Sequence, residues 1–182
     1  MSEKIIFIPG WMKSVAFYGN YAGPDIWQSR EKKQDVSVAS CIIAHSAGCN
    51  YLLAQDEFAR AGKIILINPL LPKRNSFVWM CRWLRYALSG AMTYDRMNPL
   101  WNFPYAFYKF FKVNDVDPLE MIEKIGKDKI TVVRGIQDHF FCDNYSVKML
   151  QEKNINLVEV ENLGHEWDEK YDDLVKKIIE KK

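Results

Sequence analysis

Residues 42–50, IIAHSAGCN, place Ser46 directly after an apolar run and before a stretch with helical patterning. Ala44 and Gly48 stand two positions before and two positions after the serine. A sharp turn between a strand and a helix needs small residues there, because larger side chains would collide where strand and helix pack together. The pattern predicts a strand, a tight turn and a helix, with the Ser46 hydroxyl exposed at the apex. A serine that only caps the helix is the alternative.

Further apolar runs are similar to the CIIA run at 41–44 that precedes this turn. They are IIFI (5–8), IILI (64–67), ITVV (130–133) and LVEV (157–160). Continuous runs rich in β-branched residues are typical of parallel strands covered by helices on both faces. We therefore expect an α/β domain with a doubly wound, mostly parallel sheet of five or six strands.

Helical patterns fill the stretches between these runs. The segment YLLAQDEFARAG is expected to form a helix that ends at Gly62, and DPLEMIEKIG begins with Asp117 as N-cap and ends at Gly126. The C-terminal stretch has an apolar stripe suited to covering one face of the sheet, formed by Tyr171, Leu174, Val175, Ile178 and Ile179.

Composition limits the classes of function. A chain of 182 residues fits one domain, residues 1–182, and 25 basic against 23 acidic side chains give no global field that favours nucleic acid. The four cysteines lack metal-ligand spacing, so we expect reduced thiols and no metal. Neither the start MSEK nor any apolar run indicates a signal peptide or a membrane span, which predicts a cytoplasmic protein.

A serine nucleophile needs a histidine base and an acid that orients it. His165, in ENLGHEW, follows the strand predicted at 157–160, and Asp138 follows the strand ITVV at 130–133. Both therefore lie at carboxyl ends of strands, where open α/β sheets place their ligands. Asp143 is the rival acid, whereas His45 is expected to point away from Ser46, and His139 adjoins the better acid candidate.

The turn AHSAG, the order Ser, Asp, His and the PGW loop after the first strand resemble the α/β-hydrolase superfamily over most of the chain. The resemblance implies Ser46 as nucleophile, His165 as general base and Asp138 as the orienting acid. It also implies an oxyanion hole made by the backbone N–H groups of Ala47 and Trp11, with Gly10 allowing close approach of the backbone. The family's usual turn is G-x-S-x-G, and here the first glycine is Ala44.

A second departure from the family is the gap of about 30 residues between Gly10 and the strand before Ser46. The family fits a helix, a strand and a second helix there. Loss of that strand would leave IIFI at the edge of the sheet. One helix is expected from the apolar positions Val15, Phe17, Tyr18, Tyr21, Ile26 and Trp27.

Residues 70–117 form an insertion at the place where the family carries a cap. Twelve of the 25 aromatic residues lie between Phe77 and Phe111. We expect a stripe of Phe77, Cys81, Leu84 and Leu88 to pack on the domain. Other aromatic residues then either line a substrate pocket or build a small core, the candidates for the pocket being Trp79, Trp83, Trp101 and Phe103.

Charge is concentrated in the same segment. Residues 73–112 hold seven basic side chains and one acid, Asp95, which gives a cap of charge +6. Basic side chains in a segment of this kind most often form a solvated surface. The alternatives are attraction of an anionic substrate and contact with an anionic membrane surface.

These observations favour a serine hydrolase that cleaves an ester, thioester or amide of a small molecule, most simply a carboxylesterase with an apolar acyl pocket. No metal or organic cofactor is implied. Transfer of the acyl group to an alcohol or amine would use the same residues. The alternative from another class is a binding protein on a hydrolase scaffold that lacks a working oxyanion hole.

Overall fold

A computed structural model describes residues 4–29 and 39–180. In this part the strands form one sheet of five, ordered along the sheet as along the chain: β1 (Ile5–Ile8), β2 (Cys41–His45), β3 (Lys63–Ile67), β4 (Ile130–Gly135) and β5 (Asn156–Val160). Every pairing is parallel. The predicted strands are confirmed, with ends within two residues of the expected positions.

The described residues contain six α-helices: α1 (Ala47–Leu53), α2 (Ser76–Leu88), α3 (Phe103–Val113), α4 (Pro118–Ile125), α5 (Asn144–Glu152) and α6 (Glu169–Glu180). The start of α4 is as predicted, because the Asp117 carboxylate accepts hydrogen bonds from the amides of Leu119 and Glu120. The helix ends before Gly126, which has a positive φ of 110°.

The helix expected to end at Gly62 is shorter than predicted. α1 stops at Leu53, and a 3-10 helix, Asp56–Arg60, follows after an extended residue at Gln55. Phe58 is buried in the same core as Leu52 and Leu53. A continuous helix would turn Phe58 to almost the opposite face. The break at Gln55 therefore returns this ring to the core.

Side chains of the sheet alternate between two cores. One face packs residues such as Ile42 and Leu66 against α1 to α5, and the other packs Ile43 and Ile65 against Tyr171 of α6. This arrangement has helices on both faces of a parallel sheet and confirms the doubly wound prediction. The carboxyl ends of the strands lie along one edge, where their loops can meet.

β1 lies at the edge of the sheet, as the missing family strand implied. The described part of the following connection contains a 3-10 helix, Val15–Tyr18, rather than the expected α-helix. The chain then returns along β1, where Ala22 accepts a hydrogen bond of 2.9 Å from the Phe7 amide. Covering this edge satisfies a backbone donor that would otherwise lie open. Residues 30–38 of the connection lie outside the described residues.

The predicted insertion contains α2, a short 3-10 helix and α3 between β3 and β4. The face of α2 that packs on the domain is opposite to the one expected, so that prediction is wrong: Trp79 and Tyr86 are buried, whereas Phe77 and Leu88 are 72% and 78% exposed. Trp79, Trp83 and Tyr86 recur at helical spacing, and their rings bury more apolar area than the stripe first considered.

Replacement of Gly48 tests how closely α1 approaches the loop after β1. A Cβ at this position would lie 2.5 Å from the carbonyl oxygen of Pro9 and 2.8 Å from that of Ile8. We expect Gly48→Ala to lower the free energy of unfolding by about 1–3 kcal/mol in urea titrations, because neither backbone can easily shift. Gly164→Ala is the control, since nothing lies within 4 Å of its Cβ. Equal unfolding midpoints for the two variants would contradict this close approach.

Candidate active site

Ser46 occupies the turn between β2 and α1 in a conformation that side-chain-bearing residues seldom adopt, φ 54° and ψ −131°. Its amide donates a hydrogen bond of 2.8 Å to the carbonyl oxygen of Ile67 at the end of β3. The side chain makes no capping bond to α1. The hydroxyl therefore remains available at the carboxyl edge of the sheet.

Loops after three different strands bring Ser46, His165 and Asp138 together. His165 Nε2 lies 2.8 Å from Ser46 Oγ, and His165 Nδ1 lies 2.7 Å from Asp138 Oδ2. The carboxylate can only accept, so Nδ1 donates to it and Nε2 accepts from the serine hydroxyl. All three side chains are buried. This arrangement can remove a proton from Ser46 and hold the resulting imidazolium beside a carboxylate.

The chain around Asp138 keeps its carboxylate ionised. Its Oδ1 accepts from the amides of Phe140 and Phe141, and Oδ2 accepts from the Cys142 amide and from His165. Burial alone would raise the pKa of Asp138, but interaction with His165 and these amide donors leaves the pKa below its usual value. The acid is thus both fixed in place and charged.

The rival acid, Asp143, has a different position. It is the N-cap of α5 and forms ion pairs of 3.0 Å with Arg74 and 2.9 Å with Arg82. Burial would raise the pKa of Asp143, whereas the bond from Arg82 and the other donors lower it overall. Asp143 therefore attaches the insertion to α5 and does not contact His165. His139 is exposed.

A buried chain of hydrogen bonds connects the loop after β1 with the loop that holds His165. The Gly10 amide donates to Tyr18 Oη, and Tyr18 Oη lies 2.8 Å from His45 Nδ1. His45 Nε2 lies 2.8 Å from the backbone oxygen of His165. Since that carbonyl only accepts, Nε2 donates, and Nδ1 accepts from Tyr18. Burial lowers the pKa of His45 to about 4, so this ring is neutral near pH 7.

Asn68, at the end of β3, holds the same loop from another side. Its amide nitrogen donates 3.0 Å bonds to the backbone oxygens of Gly164 and His165, and its oxygen accepts from the Gly135 amide. Asn68 has a positive φ of 46°. Neither Tyr18 nor Asn68 was predicted from the sequence as part of the site. A polar residue directly after a buried strand, the signal that identified Ser46, could have indicated Asn68.

The predicted oxyanion-hole residues, Trp11 and Ala47, both line a cavity beside Ser46. Trp11 is fixed by a 3.1 Å bond from its indole to the Ala106 carbonyl and by stacking on Phe110 at 4.4 Å. Neither backbone amide has an acceptor among the described residues. A Cβ on Gly10 would lie 3.2 Å from the Cβ of Ser46. The loop is therefore close to Ser46 and offers unpaired donors.

The cavity at Ser46 is small, about 30 Å³, which is room for about two water molecules. Its apolar lining consists of Trp11, Leu70, Trp83, Tyr86, Met92, Phe110 and Phe141. Of the four aromatic residues proposed for the pocket, only Trp83 lines this cavity. Trp79 packs beneath Arg74 and Arg82, Phe103 contacts Phe107, and Trp101 is 80% exposed.

A polar cluster that forms part of the cavity wall, through Lys13 and Glu166, joins the insertion to the loop that holds His165. Glu166 forms an ion pair of 3.1 Å with Lys13 and accepts from Thr93 Oγ1 at 2.8 Å and from the hydroxyl of Tyr86. Burial lowers the pKa of Lys13, and Glu166 opposes that shift. These contacts hold Tyr86 of α2 and Thr93 beside Glu166, and the Tyr86 ring lies 5.3 Å from the ring of His165.

In the described ranges, histidine, cysteine and acidic side chains form no group of three that could hold a metal ion. No disulfide joins the four cysteines, which are all among the described residues: Cys81 is exposed, and Cys41, Cys49 and Cys142 are buried. Within those ranges no helix combines the length and apolarity needed to span a membrane.

Stability should depend on pH through His45. Between about pH 4 and 6.5 the unfolded chain protonates this histidine and the folded chain does not, so stability falls as pH is lowered through this range. We expect the free energy of unfolding to fall by about 2 kcal/mol more in the wild type than in His45→Gln between pH 7 and 5, in urea titrations. Parallel losses in both proteins would contradict a buried neutral His45.

No protein-family model matches the chain, and no curated protein matches it. Solved structures do match the chain. E-2-(acetamidomethylene)succinate hydrolase aligns with a TM-score of 0.62 and 9% identity over 97% of this chain and 89% of that chain.

Two other solved structures also align with nearly the whole chain at low sequence identity. The α/β hydrolase MGS-M2, from a Medee basin deep-sea metagenome library, aligns with a TM-score of 0.59 and 14% identity over 100% of this chain and 90% of that chain. A structure from a study of carboxylesterases of the thaumarchaeon Nitrososphaera gargenis aligns with a TM-score of 0.53 and 12% identity, over 98% and 90% of the two chains. At this identity the likeness establishes the fold alone: the chain has the α/β-hydrolase fold, with five parallel strands in its described part.

Proposed function

We propose that the protein is a serine hydrolase that cleaves carboxylic esters, and by the same chemistry thioesters or amides. The observation that supports this most directly is the hydrogen-bonded line Ser46, His165, Asp138, with 2.8 Å and 2.7 Å between the bonding atoms. The fold shared with known hydrolases adds support. The cytoplasmic location expected from the sequence is part of the same proposal.

In the first half-reaction Ser46 Oγ attacks the ester carbonyl carbon while His165 Nε2 takes the hydroxyl proton. The carbonyl oxygen becomes an oxyanion, for which the free amides of Trp11 and Ala47 are the candidate donors. Collapse of this intermediate breaks the bond to the alcohol, which leaves with the proton from His165. The acyl group is then an ester of Ser46.

In the second half-reaction His165 takes a proton from water, and the hydroxide formed attacks the acyl-enzyme. The acid product leaves, and the proton returns to Ser46 Oγ. Asp138 keeps the imidazole in one orientation and stabilises its positive charge in both steps. No step requires a metal or an organic cofactor.

The apolar cavity supports a carboxylesterase with a small acyl pocket. We assign the space of about 30 Å³ beside Ser46 to a short acyl group, with Trp83 and Phe110 as parts of its wall. Residues 70–117 act as a cap in this proposal, because they supply these two rings as well as Tyr86 and Met92. The substrate is a small acyl ester whose acyl part is apolar.

A fluorophosphonate probe tests the nucleophile and its base. We expect labelling of Ser46 in the wild type, located by peptide mass spectrometry, and none in Ser46→Ala or His165→Ala. Ser40→Ala is the matched control and should label normally. A folded wild-type protein that does not react would contradict the proposal and favour a ligand-binding protein on a hydrolase scaffold.

The choice of acid is tested by two conservative substitutions. Asp138→Asn should lower kcat for p-nitrophenyl acetate by about 10³–10⁴-fold, because the amide no longer stabilises the productive tautomer of His165. Asp143→Asn keeps an acceptor for the start of α5 and should change kcat by less than about tenfold. A larger loss in Asp143→Asn would reverse the two roles.

The acyl pocket is tested by chain-length preference. Trp83→Ala should raise the ratio of kcat/KM for hexanoate over acetate esters by about tenfold, because removing the ring makes space for additional methylene groups. Trp101→Ala removes an equally large side chain that is 80% exposed and does not line the cavity. An unchanged ratio in Trp83→Ala, or an equal change in Trp101→Ala, would exclude this position for the acyl group.

A further inference from the structure

Exposed apolar side chains are concentrated in the cap. Among the described residues, nine of the eleven large hydrophobic residues that are exposed lie between 77 and 111: Phe77, Val78, Leu84, Leu88, Tyr94, Leu100, Trp101, Tyr108 and Phe111. The other two, Ile136 and Tyr145, lie elsewhere. Single exposed apolar residues are ordinary, but a concentration of this kind marks an interaction site.

Both helices of the cap have an exposed apolar stripe. On α2, Phe77, Leu84 and Leu88 recur at helical spacing on the face opposite the buried rings. On α3, Tyr108 and Phe111 do the same. Phe77 and Phe111 line one surface depression, so the two stripes adjoin. We call these five residues the apolar cap face.

Cations border the apolar cap face. Arg85 follows Leu84 on α2, and Lys112 follows Phe111 on α3. Both are exposed, as are Lys73 and Arg96, and none of the four forms an ion pair with another described residue. Residues 73–112 contain one acid, Asp95, against seven basic side chains. Asp115, just outside this range, lines the depression together with Lys73 and Arg74, so the charge around this face is positive on balance. An occupant with apolar parts and negative charge would complement it.

We propose that the apolar cap face docks on a lipid bilayer that contains anionic lipids. Helices with apolar side chains on one face, bordered by Arg and Lys, lie in the interface with their apolar residues among the acyl chains and their cations at the headgroups. The opposite face of α2 contributes Trp83 and Tyr86 to the cavity at Ser46. Docking would therefore place the bilayer against the cap, and it does not depend on the proposed hydrolase activity.

Sedimentation with vesicles tests the docking. Wild-type protein should bind vesicles of phosphatidylcholine containing phosphatidylglycerol, and binding should weaken when phosphatidylcholine replaces the anionic lipid or when salt is added. Ser46→Ala should bind as the wild type does, because its change lies in the cavity. Failure of docking is thus distinguishable from failure of the catalytic proposal.

Paired variants identify the surface. The double variant Leu84→Ser, Leu88→Ser should lower the partition coefficient at least about tenfold, whereas Ile136→Ser with Tyr145→Ser should not. Arg85→Glu should lower it by about ten- to thirtyfold, and Lys129→Glu, the same charge change at an exposed residue before β4, should have a much smaller effect.

Circular dichroism confirms that each variant is folded before binding is measured. A folded wild type that stays in the supernatant at every phosphatidylglycerol content overturns the proposal and leaves an acidic protein as the occupant of this face. Equal binding to neutral and anionic vesicles, or equal losses in the cap and control variants, would also overturn it.

Discussion

The backbone at Ser46 is held at φ 54° and ψ −131°, a conformation that costs free energy and persists only because its surroundings impose it. The Ser46 amide is bonded to Ile67, and Gly48 packs so closely on the loop after β1 that no Cβ fits. That close packing brings Gly10 and Trp11 beside the serine. The hydroxyl, the unpaired amides and the cavity all depend on this one turn.

Buried hydrogen bonds then align the remaining loops with the turn. Tyr18 and His45 connect Gly10 with the backbone of His165, and Asn68 connects that backbone with the end of β4. Because each bond is buried, breaking one would leave an unsatisfied polar group and cost about 1–3 kcal/mol. His165 is therefore fixed through its backbone as well as through Asp138, which favours a preorganised site.

Sequence patterns predicted the five strands. They also predicted that Ser46, Asp138 and His165 lie at the same edge of the sheet, because the carboxyl ends of parallel strands point in one direction. They failed at α2, where two apolar stripes have the same helical period and only tertiary packing decides that Trp79 and Tyr86 are buried. Trp101, also predicted to line the pocket, lies in the 3-10 helix Leu100–Asn102 and is 80% exposed. The hydrogen bond between Tyr18 and His45 could not be predicted from the sequence, because it joins residues 27 positions apart through a loop.

A covalent acyl-enzyme on Ser46 is the step on which the proposed mechanism depends, and it can be detected by trapping the ester. The protein would be mixed with a p-nitrophenyl ester, quenched in acid within the first turnover and digested for peptide mass spectrometry. We expect the mass of the acyl group on the peptide that contains Ser46 in the wild type, and no such mass in Ser46→Ala. Undiminished ester hydrolysis by Ser46→Ala, or an acyl group on another residue during turnover, would contradict it.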